Sequence, residues 1–418
     1  MKFFHVADLH FGKTIYGTSL IDAQRDWIHK FIDLCRLEQV DAVAVAGDVY
    51  DRSAPSADAM RLLNDFISGI VELGIPLLMI AGNHDSGMRL LYGEDIFKKN
   101  QVHIAGLPQV PIQSVTITGK DGVKANFYML PYTYPQAAKD VLGGGQDEEN
   151  QVDIKDCETA VGMLIEASNI NFDENNIMIA HQNVTSGGKK AQMGGSESLI
   201  GGLGRMDAGV FEGFDYVALG HIHAAYPVQG EHIRYAGSPM CYHFDEVRQA
   251  KKGPVLVEIG EHGMVGTPKV IELEPLNPLK YITGTLNEAK DMLMGENLQK
   301  AFVKVVITDQ PMSPAISDSI RNIVGTKGGS LLEVSSSYLY TNTPNNEHMT
   351  AMNHRDKSVT ELFVDFYKSR RSENDPTQEE MDGINEAADI VEGMSGEFED
   401  NNPSERAVDR FYRFICEL

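Results

Sequence analysis

The sequence predicts an α/β fold of the α+β type: a mixed-sheet sandwich flanked by helices, followed by a small α/β cap and C-terminal helices. Two observations support this prediction. Short apolar runs rich in β-branched residues, which are typical of buried strands, alternate with segments of helical length. A chain of 418 residues, 42% of them hydrophobic, can also bury the cores of two or three domains.

Strands and helices are predicted to alternate through residues 1–275. Five apolar runs end in side chains that can bind metal ions, and we expect a buried strand at residues 2–7, 42–47, 77–82, 177–180 and 216–220. Further strands are predicted near residues 102–105, 112–118 and 125–130, and, with antiparallel character, at 232–236, 255–259 and 269–273. Helices are predicted at residues 22–38, 56–73 and 153–169, the second after a Ser-Ala-Pro segment that suits a helix start.

Pro275 and Pro278 mark a predicted boundary, and we expect three domains at residues 1–275, 276–340 and 341–418. The middle segment is predicted to be a small α/β cap with elements in the order β, α, β, α, β, at residues 281–286, 288–294, 302–308, 314–324 and 331–334. The last segment is predicted to contain three helices.

The formal net charge of −24 argues against a broad basic surface that binds nucleic acid. The last 46 residues alone hold 14 acidic and 3 basic residues, so we expect that segment to be solvated or to face a protein partner. Any affinity for nucleic acid must therefore come from local basic patches, bound metal ions or a partner.

The chain is expected to be a cytoplasmic protein without a membrane span. No apolar run approaches the roughly 20 residues of a transmembrane helix, and the N-terminus shows no secretory leader. Four widely spaced cysteines form no pairwise motif, and we expect them to be reduced thiols: Cys35, Cys157, Cys241 and Cys416.

Seven polar side chains follow five of the predicted strands: Asp8, His10, Asp48, Asn83, His181, His221 and His223. Ligands just past the carboxyl ends of neighbouring strands collect along one edge of a sheet. Four imidazoles, two carboxylates and an amide, with no thiolate, suit Mn²⁺, Fe²⁺ or Zn²⁺. Seven ligands are too many for one ion and predict two, with Asp48 as the candidate bridge. Two such ions can hold both oxygens of an in-line displacement at phosphorus.

His84 follows Asn83 directly, and neighbouring side chains on an extended chain point in opposite directions. We therefore expect His84 to face the substrate, where a histidine can act as a general acid. Asp51 and Asp85 are expected to orient imidazoles. Five basic residues could contact nucleic-acid phosphates, although each could equally be a solvated surface charge: Lys13, Arg52, Lys189, Lys190 and Arg205.

Five motifs resemble, in order, those of the calcineurin-like metallophosphoesterases: Asp8-x-His10, Gly47-Asp48-Val49-Tyr50-Asp51, Gly82-Asn83-His84-Asp85, a lone His181 and Gly220-His221-x-His223. Within that superfamily the chain most resembles the SbcD nuclease subunits, in residues 8–13 and 235–239 and in Phe244 with Glu246. The resemblance implies a four-layer sandwich, Mn²⁺ as the working ion and a catalytic His84. It assigns one ion to Asp8, His10, Asp48 and His223, and the other to Asp48, Asn83, His181 and His221.

The same resemblance implies DNA as the substrate. Cleavage would be exonucleolytic at duplex ends and endonucleolytic in single strands and hairpins, during repair, recombination and replication. It also implies an SbcC-type ATPase as partner, on which the C-terminal helices dock, with a homodimer of this chain inside a heterotetramer. Because the sequence has no Gly-x-x-x-x-Gly-Lys-Ser/Thr phosphate loop, ATP hydrolysis would belong to that partner.

Two other functions stay open at the level of the sequence. The chain could be another phosphoesterase of the same fold that acts on nucleotides or phosphoproteins. It could also be a structural subunit whose metal site serves assembly. Scattered structural polar residues are the ordinary alternative for the seven ligands, and five matching strand ends argue against it.

Overall fold

The fold is that of a computed structural model, which describes residues 1–143, 154–187, 204–248 and 251–338. Eight α-helices lie in these ranges: α1 (Ile21–Glu38), α2 (Ala57–Glu72), α3 (Gly87–Leu90), α4 (Glu94–Lys98), α5 (Pro135–Leu142), α6 (Cys157–Ala167), α7 (Leu286–Gly295) and α8 (Pro314–Thr326). Two 3₁₀ helices span Ala208–Phe211 and Phe244–Arg248. None of the helices in these ranges is long and apolar enough to cross a membrane.

The same ranges contain twenty strands. The first ten are β1 (Lys2–Val6), β2 (Thr14–Ile15), β3 (Thr18–Ser19), β4 (Ala42–Ala46), β5 (Leu77–Ile80), β6 (Val102–Ala105), β7 (Gln113–Thr118), β8 (Lys124–Leu130), β9 (Asn176–His181) and β10 (Asn183–Thr185). The others are β11 (Arg205–Asp207), β12 (Tyr216–Gly220), β13 (Tyr226–Gln229), β14 (Ile233–Tyr235), β15 (Val255–Gly260), β16 (Gly263–Met264), β17 (Lys269–Val270), β18 (Leu279–Gly284), β19 (Phe302–Ile307) and β20 (Ser330–Ser336).

Two large sheets form the centre of the molecule. The first has the strand order β16-β15-β1-β4-β5-β6, with β17 beside β15, and the second has the order β13-β14-β12-β9-β8-β7. The strands that carry the candidate ligands are neighbours: β1, β4 and β5 are parallel in the first sheet, and β9 and β12 are parallel in the second. Their carboxyl ends therefore lie along common edges, as the sequence predicts.

Three apolar layers separate four layers of secondary structure, so the predicted four-layer sandwich is confirmed. One core fills the space between the two sheets, where Phe3 and Phe127 meet edge to face with centroids 5.2 Å apart. A second core lies between the first sheet and α1 and α2, and a third lies between the second sheet and α5 and α6.

Strand β4 shows how side-chain size sets the distance between the sheets. Because side chains alternate along a strand, Ala42, Ala44 and Ala46 face the second sheet, whereas Val43 and Val45 face the helices. The small alanines allow the two sheets to approach closely along β4. This approach is closest at the carboxyl end, where the candidate ligands begin.

The segment after Pro275 forms a third sheet of three parallel strands in the order β18-β19-β20. Helices α7 and α8 cover one face of it, and α7 begins with a capping box formed by Thr285 and Glu288. The β, α, β, α, β order predicted for residues 281–334 is confirmed. Leu279 and Phe302 join the core beside α1 and α2, so this sheet packs directly on the sandwich.

Most of the predicted elements are confirmed, with two corrections. The prediction that residues 232–236 have antiparallel character is wrong for one side, because β14 is parallel to β12 and antiparallel only to β13. After β12 the chain forms β13 at the edge of the sheet and then returns as β14, which lies between β12 and β13. The third predicted helix begins at Cys157, after the side-chain cap of Asp156, and not at residue 153. The helices predicted in 341–418 lie outside the described residues, and the domain division stays a prediction.

Gly220 should be essential to the close approach of the sheets. A Cβ atom at this position would lie 1.9 Å from the carbonyl oxygen of Ala46 and 2.7 Å from Nδ1 of His181. Because backbone cannot move aside cheaply, we expect Gly220→Ala to lower the free energy of unfolding by about 2 kcal/mol or more. Urea denaturation followed by the fluorescence of Trp27 measures this change.

The matched control is Gly162→Ala in α6, where a Cβ would meet only Cγ2 of Val210, at an ordinary 3.5 Å. This change should leave stability unaltered or raise it by up to about 1 kcal/mol, because alanine favours helix more than glycine does. Equal denaturation midpoints for Gly220→Ala and the unaltered chain would contradict the account of the sheet contact.

Candidate metal centre

The structure brings all seven predicted ligand side chains together at the carboxyl ends of the two sheets. Asp48 lies at the centre of the group, and it is 2% exposed. Its Oδ2 atom is 3.6 Å from Nε2 of His10 and 3.4 Å from Nε2 of His181. The Asp48 carboxylate therefore separates a His10 side of the cluster from a His181 side.

The His10 side contains Asp8, His10 and His223, whose ligand atoms are close enough to share one ion. Nε2 of His10 is 3.2 Å from Nε2 of His223. Oδ1 of Asp8 accepts a hydrogen bond of 2.9 Å from the backbone amide of His221, while Oδ2 is buried without a hydrogen-bond partner. A buried carboxylate oxygen with no donor requires a cation or a proton.

The His181 side is organised around the amide oxygen of Asn83. This oxygen is 3.0 Å from Nε2 of His181 and 3.1 Å from Nδ1 of His221. Nδ1 of His181 donates a 2.8 Å hydrogen bond to the carbonyl oxygen of Ala46, and this bond turns Nε2 towards Asp48 and Asn83. The imidazoles of His181 and His221 are therefore both directed at the amide oxygen of Asn83.

Four of the predicted ligand residues have a left-handed backbone, with φ of 53° at Asp8, 43° at His10, 51° at Asp48 and 99° at His221. Such a conformation costs a non-glycine residue about 1–3 kcal/mol and persists only when its surroundings enforce it. Backbone hydrogen bonds supply the restraint here. The amide of Asp8 donates to the backbone carbonyl oxygen of Gly47 at 3.0 Å, and the amide of His10 donates to the backbone carbonyl oxygen of Asp48 at 2.9 Å. The strained turns place side chains two positions apart in the sequence, such as Asp8 and His10, in one site.

Burial and mutual charge set the protonation of the cluster. Burial lowers the pKa of His10 well below its ordinary value and lowers the pKa of His221 to about 3, so both rings are neutral at pH 7. Burial also acts against a charged His181, but the Asp48 carboxylate outweighs it and raises the pKa of His181 to about 9. The negative field that draws a proton to His181 also attracts a divalent cation, which competes for the same lone pair.

The residues present fit divalent metal ions. Imidazole nitrogens, carboxylate oxygens and one amide oxygen converge, and among the described residues the groups Asp8-His10-His223 and Asp8-Asp48-His181 each bring three ligand atoms within 4.8 Å of one another. Two facing imidazole nitrogens and an unpartnered buried carboxylate oxygen are unfavourable neighbours unless a cation or proton lies between them. The structure thus supports divalent metal ions as the cofactor.

His84 lies at the edge of this cluster, half-buried. Its backbone amide donates to Oδ1 of Asp48 at 2.9 Å, and its ring stands perpendicular to that of His10 with centroids 4.8 Å apart. Nδ1 of His84 donates to the backbone carbonyl of Asp51 at 3.0 Å. The ring is thereby fixed, and Nε2 is the nitrogen left for other contacts.

The two aspartates expected to orient imidazoles behave differently. The Oδ1 atom of Asp51 is 3.7 Å from Nδ1 of His10 and 2.7 Å from the ammonium group of Lys13. Asp85, in contrast, accepts hydrogen bonds of 2.9–3.0 Å from three backbone amides, those of Val49, Tyr50 and Gly82. The expectation that Asp85 orients an imidazole is therefore corrected: it ties the loop after β4 to the loop after β5.

Glu246 contacts His223 at Nδ1, and Lys252 contacts both Glu246 and the backbone carbonyl of His223. Neither is among the predicted site residues. Oε1 of Glu246 is 3.1 Å from Nδ1 of His223, and Oε2 accepts a 2.8 Å hydrogen bond from the ammonium group of Lys252. Lys252 also donates to the carbonyl oxygen of His223 at 2.7 Å. Burial acts to raise the pKa of Glu246, but His223 and Lys252 outweigh it and hold that pKa below its ordinary value.

The basic residues expected near nucleic-acid phosphates have different environments. Lys13 is largely buried and paired with Asp51, whereas the side chain of Arg52 is 77% exposed. Arg205 is exposed on β11, where it is the register partner of Asn183. Lys189 and Lys190 lie outside the described residues.

Comparison with known proteins agrees with the fold. Residues 1–225 match the calcineurin-like phosphoesterase family, and residues 275–371 match the type 5 capsule protein repressor C-terminal domain. The chain is 32% identical over 290 residues to the SbcD subunit of the nuclease SbcCD from Staphylococcus saprophyticus subsp. saprophyticus, a match that covers 69% of this chain and 73% of that protein.

Two solved structures are also similar in part. TT1561 of Thermus thermophilus has a TM-score of 0.33 and 12% identity, and the match covers 57% of this chain and 89% of that one. A dimetal phosphatase from Danio rerio has a TM-score of 0.32 and 13% identity, and the match covers 66% of this chain and 99% of that one.

The contact between Glu246 and His223 should matter for metal affinity. We expect Glu246→Ala to weaken Mn²⁺ binding about 10- to 100-fold, because the imidazole loses the acceptor that fixes its orientation. Glu246→Gln should weaken binding less, since its amide oxygen can still accept from Nδ1. Isothermal titration calorimetry of the metal-free protein measures both effects.

The control is Asp245→Ala, in the same 3₁₀ helix, where the carboxylate is 59% exposed and pairs with His243. This variant should bind Mn²⁺ as the unaltered chain does. If Glu246→Ala also keeps full affinity while remaining folded, Glu246 has no part in holding His223 for the metal.

Proposed function

Because the chain belongs to the calcineurin-like phosphoesterase family, and within it to the SbcD subunits, we propose that it is a metal-dependent nuclease that hydrolyses phosphodiester bonds in DNA. The observation that carries this proposal is the convergence of seven candidate ligand side chains, in which Asp48 lies between His10 and His181. A single carboxylate flanked by two imidazole groups suits a pair of ions that share it.

We assign Asp8, His10, Asp48 and His223 to one ion, and Asp48, Asn83, His181 and His221 to the other. The distances on the two sides of Asp48 support this division. The chemistry that such a pair supplies is a water nucleophile of lowered pKa and neutralisation of charge on the phosphate. We further propose Mn²⁺ as the working ion, because the resemblance to the SbcD subunits implies it and the nitrogen and oxygen ligands are compatible with it.

In this proposal the chain's own residues orient the substrate and move a proton. The carbonyl of Asp51 accepts from Nδ1 of His84, and this hydrogen bond orients the ring so that Nε2 is the nitrogen left for proton transfer. Nε2 of His84 then holds the proton that passes to the leaving oxygen. Oδ1 of Asp51, which is paired with the ammonium group of Lys13, lies 3.7 Å from Nδ1 of His10.

The finer parts of the proposal concern substrate and assembly. We propose exonuclease activity at duplex ends and endonuclease activity on single strands and hairpins, in DNA repair, recombination and replication. The staphylococcal relative is named as one subunit of the nuclease SbcCD, and this name supports nuclease activity within a complex. We propose an SbcC-type ATPase as the partner of residues 341–418, a cap at 276–340, and a homodimer of this chain within the assembly.

Substrate choice is tested by cleavage assays with Mn²⁺ on end-labelled duplex, hairpin and single-stranded DNA, with and without the ATPase partner. Nucleotides and a phosphopeptide are assayed beside them. We expect DNA to be degraded and the small substrates to be poor. Hydrolysis of nucleotides without any cleavage of DNA would instead favour another phosphoesterase of this fold. No hydrolysis of any substrate by the metal-loaded complex would favour a structural subunit.

The proposed proton transfer predicts the effect of His84→Ala. Cleavage should fall by about 10² or more, the usual scale for a lost general acid, while metal content stays unchanged. Steady-state cleavage rates and elemental analysis of the loaded protein measure the two quantities. The control is His29→Ala, at an exposed position of α1. Equal cleavage by His84→Ala and His29→Ala would remove His84 from the mechanism.

A further inference from the structure

The two sides of the metal centre carry different neighbours. On the His10 side stands the ammonium group of Lys13, bound to Asp51. On the His181 side stands the phenol ring of Tyr132, whose centroid is 6.3 Å from that of the His181 imidazole, with the planes inclined by 75°. One side of the site therefore carries a largely buried ion pair, and the other presents an aromatic ring.

The loop that carries Tyr132 is firmly anchored. It follows β8, and the backbone amide of Tyr132 donates across to the first sheet, to the carbonyl oxygen of Ala81, at 2.8 Å. The next residue, Thr133, is fully buried and its carbonyl accepts a 3.1 Å hydrogen bond from Nε2 of Gln182, also fully buried. Tyr132 is thus fixed between the segment that leads to Asn83 and the segment that follows His181.

We propose that Tyr132 is a specificity-determining residue, whose ring contacts the base of an unpaired nucleotide next to the scissile phosphate on the His181 side. This inference rests on the proposed DNA-cleaving function and deepens it. A half-buried tyrosine ring within about one nucleotide of the metal cluster is positioned to stack on a base.

Stacking explains why such a ring would select substrates. Every base has a π-face, so an aromatic side chain binds single strands with little sequence preference. A ring that is held in place by its own backbone loses little freedom when a base contacts it. A base inside a duplex already stacks on its neighbours, so the contact favours frayed ends, single strands and hairpin loops.

Variants that separate aromatic character from bulk test this inference. We compare Tyr132→Phe and Tyr132→Leu in the full-length Mn²⁺-loaded protein, with Tyr134→Leu as the control. Tyr134 lies in the same loop and is 51% exposed. The substrates are a single-stranded oligonucleotide, the same oligonucleotide with an abasic residue beside the cleaved bond, and methyl p-nitrophenyl phosphate, a small diester without a base.

We expect Tyr132→Leu to lower kcat/KM on the intact oligonucleotide about 5- to 100-fold, mainly through KM, the range typical of one lost stacking contact. Tyr132→Phe and Tyr134→Leu should stay within about twofold of the unaltered chain. On the abasic oligonucleotide and on the small diester, Tyr132→Leu should equal the unaltered chain. An equal loss on all three substrates would mean that Tyr132 only supports His181, and no loss on any would mean that it contacts no base. Either result overturns the inference.

Binding provides a readout independent of cleavage. An oligonucleotide with 2-aminopurine at the same position is titrated with the metal-free protein, because the fluorescence of this base is quenched when it stacks. Quenching should be present with Tyr132→Phe and lost with Tyr132→Leu, and equal quenching in both overturns the inference. Failure of the proposed DNA-cleaving function gives a different result from failure of this inference. In that case the unaltered chain itself hydrolyses the small diester but cleaves neither oligonucleotide.

Discussion

The carboxyl ends of the two sheets are joined by the hydrogen bond from Nδ1 of His181 to the carbonyl oxygen of Ala46, 2.8 Å long. This bond exists only because alanines on β4 and the glycine that ends β12 leave no side chain between the sheets at that point. It sets both the position of His181 and the direction in which its Nε2 atom points. The candidate ligands at the end of the first sheet therefore meet those at the end of the second.

The resulting cluster is unfavourable for a protein alone and favourable around cations. Two imidazole nitrogens face each other at 3.2 Å, and one oxygen of Asp8 is buried without a donor. Four of the candidate ligand residues also hold a strained left-handed backbone, which the surrounding loops enforce. Behind the cluster, the 3₁₀ helix Phe244–Arg248 contacts both the site and the third sheet. Its Glu246 holds His223, and its Arg248 lies over the ring of Tyr281, 5.4 Å from the centroid.

Local patterns in the sequence predict much of this arrangement. The five apolar runs and their terminal ligands correspond to β1, β4, β5, β9 and β12, and the β, α, β, α, β order after Pro275 follows from periodicity alone. The interactions behind the ligands do not follow from local patterns, because they join residues far apart in the chain. Lys252 bonds to the carbonyl of His223, 29 positions away, and Tyr132 reaches Ala81 through its backbone. Asp85 could be recognised as part of a motif, but its three amide contacts depend on how two loops meet.

We propose that Asp48 supplies ligand oxygens to both of two metal ions. X-ray absorption spectroscopy of the Mn²⁺-loaded protein tests it most directly, together with elemental analysis of the ions bound per chain. We expect two ions per chain and a metal–metal distance of about 3.5–4 Å, with nitrogen and oxygen as the only ligand atoms. One ion per chain at saturating Mn²⁺, or two ions with no metal–metal contribution in this range, would contradict it.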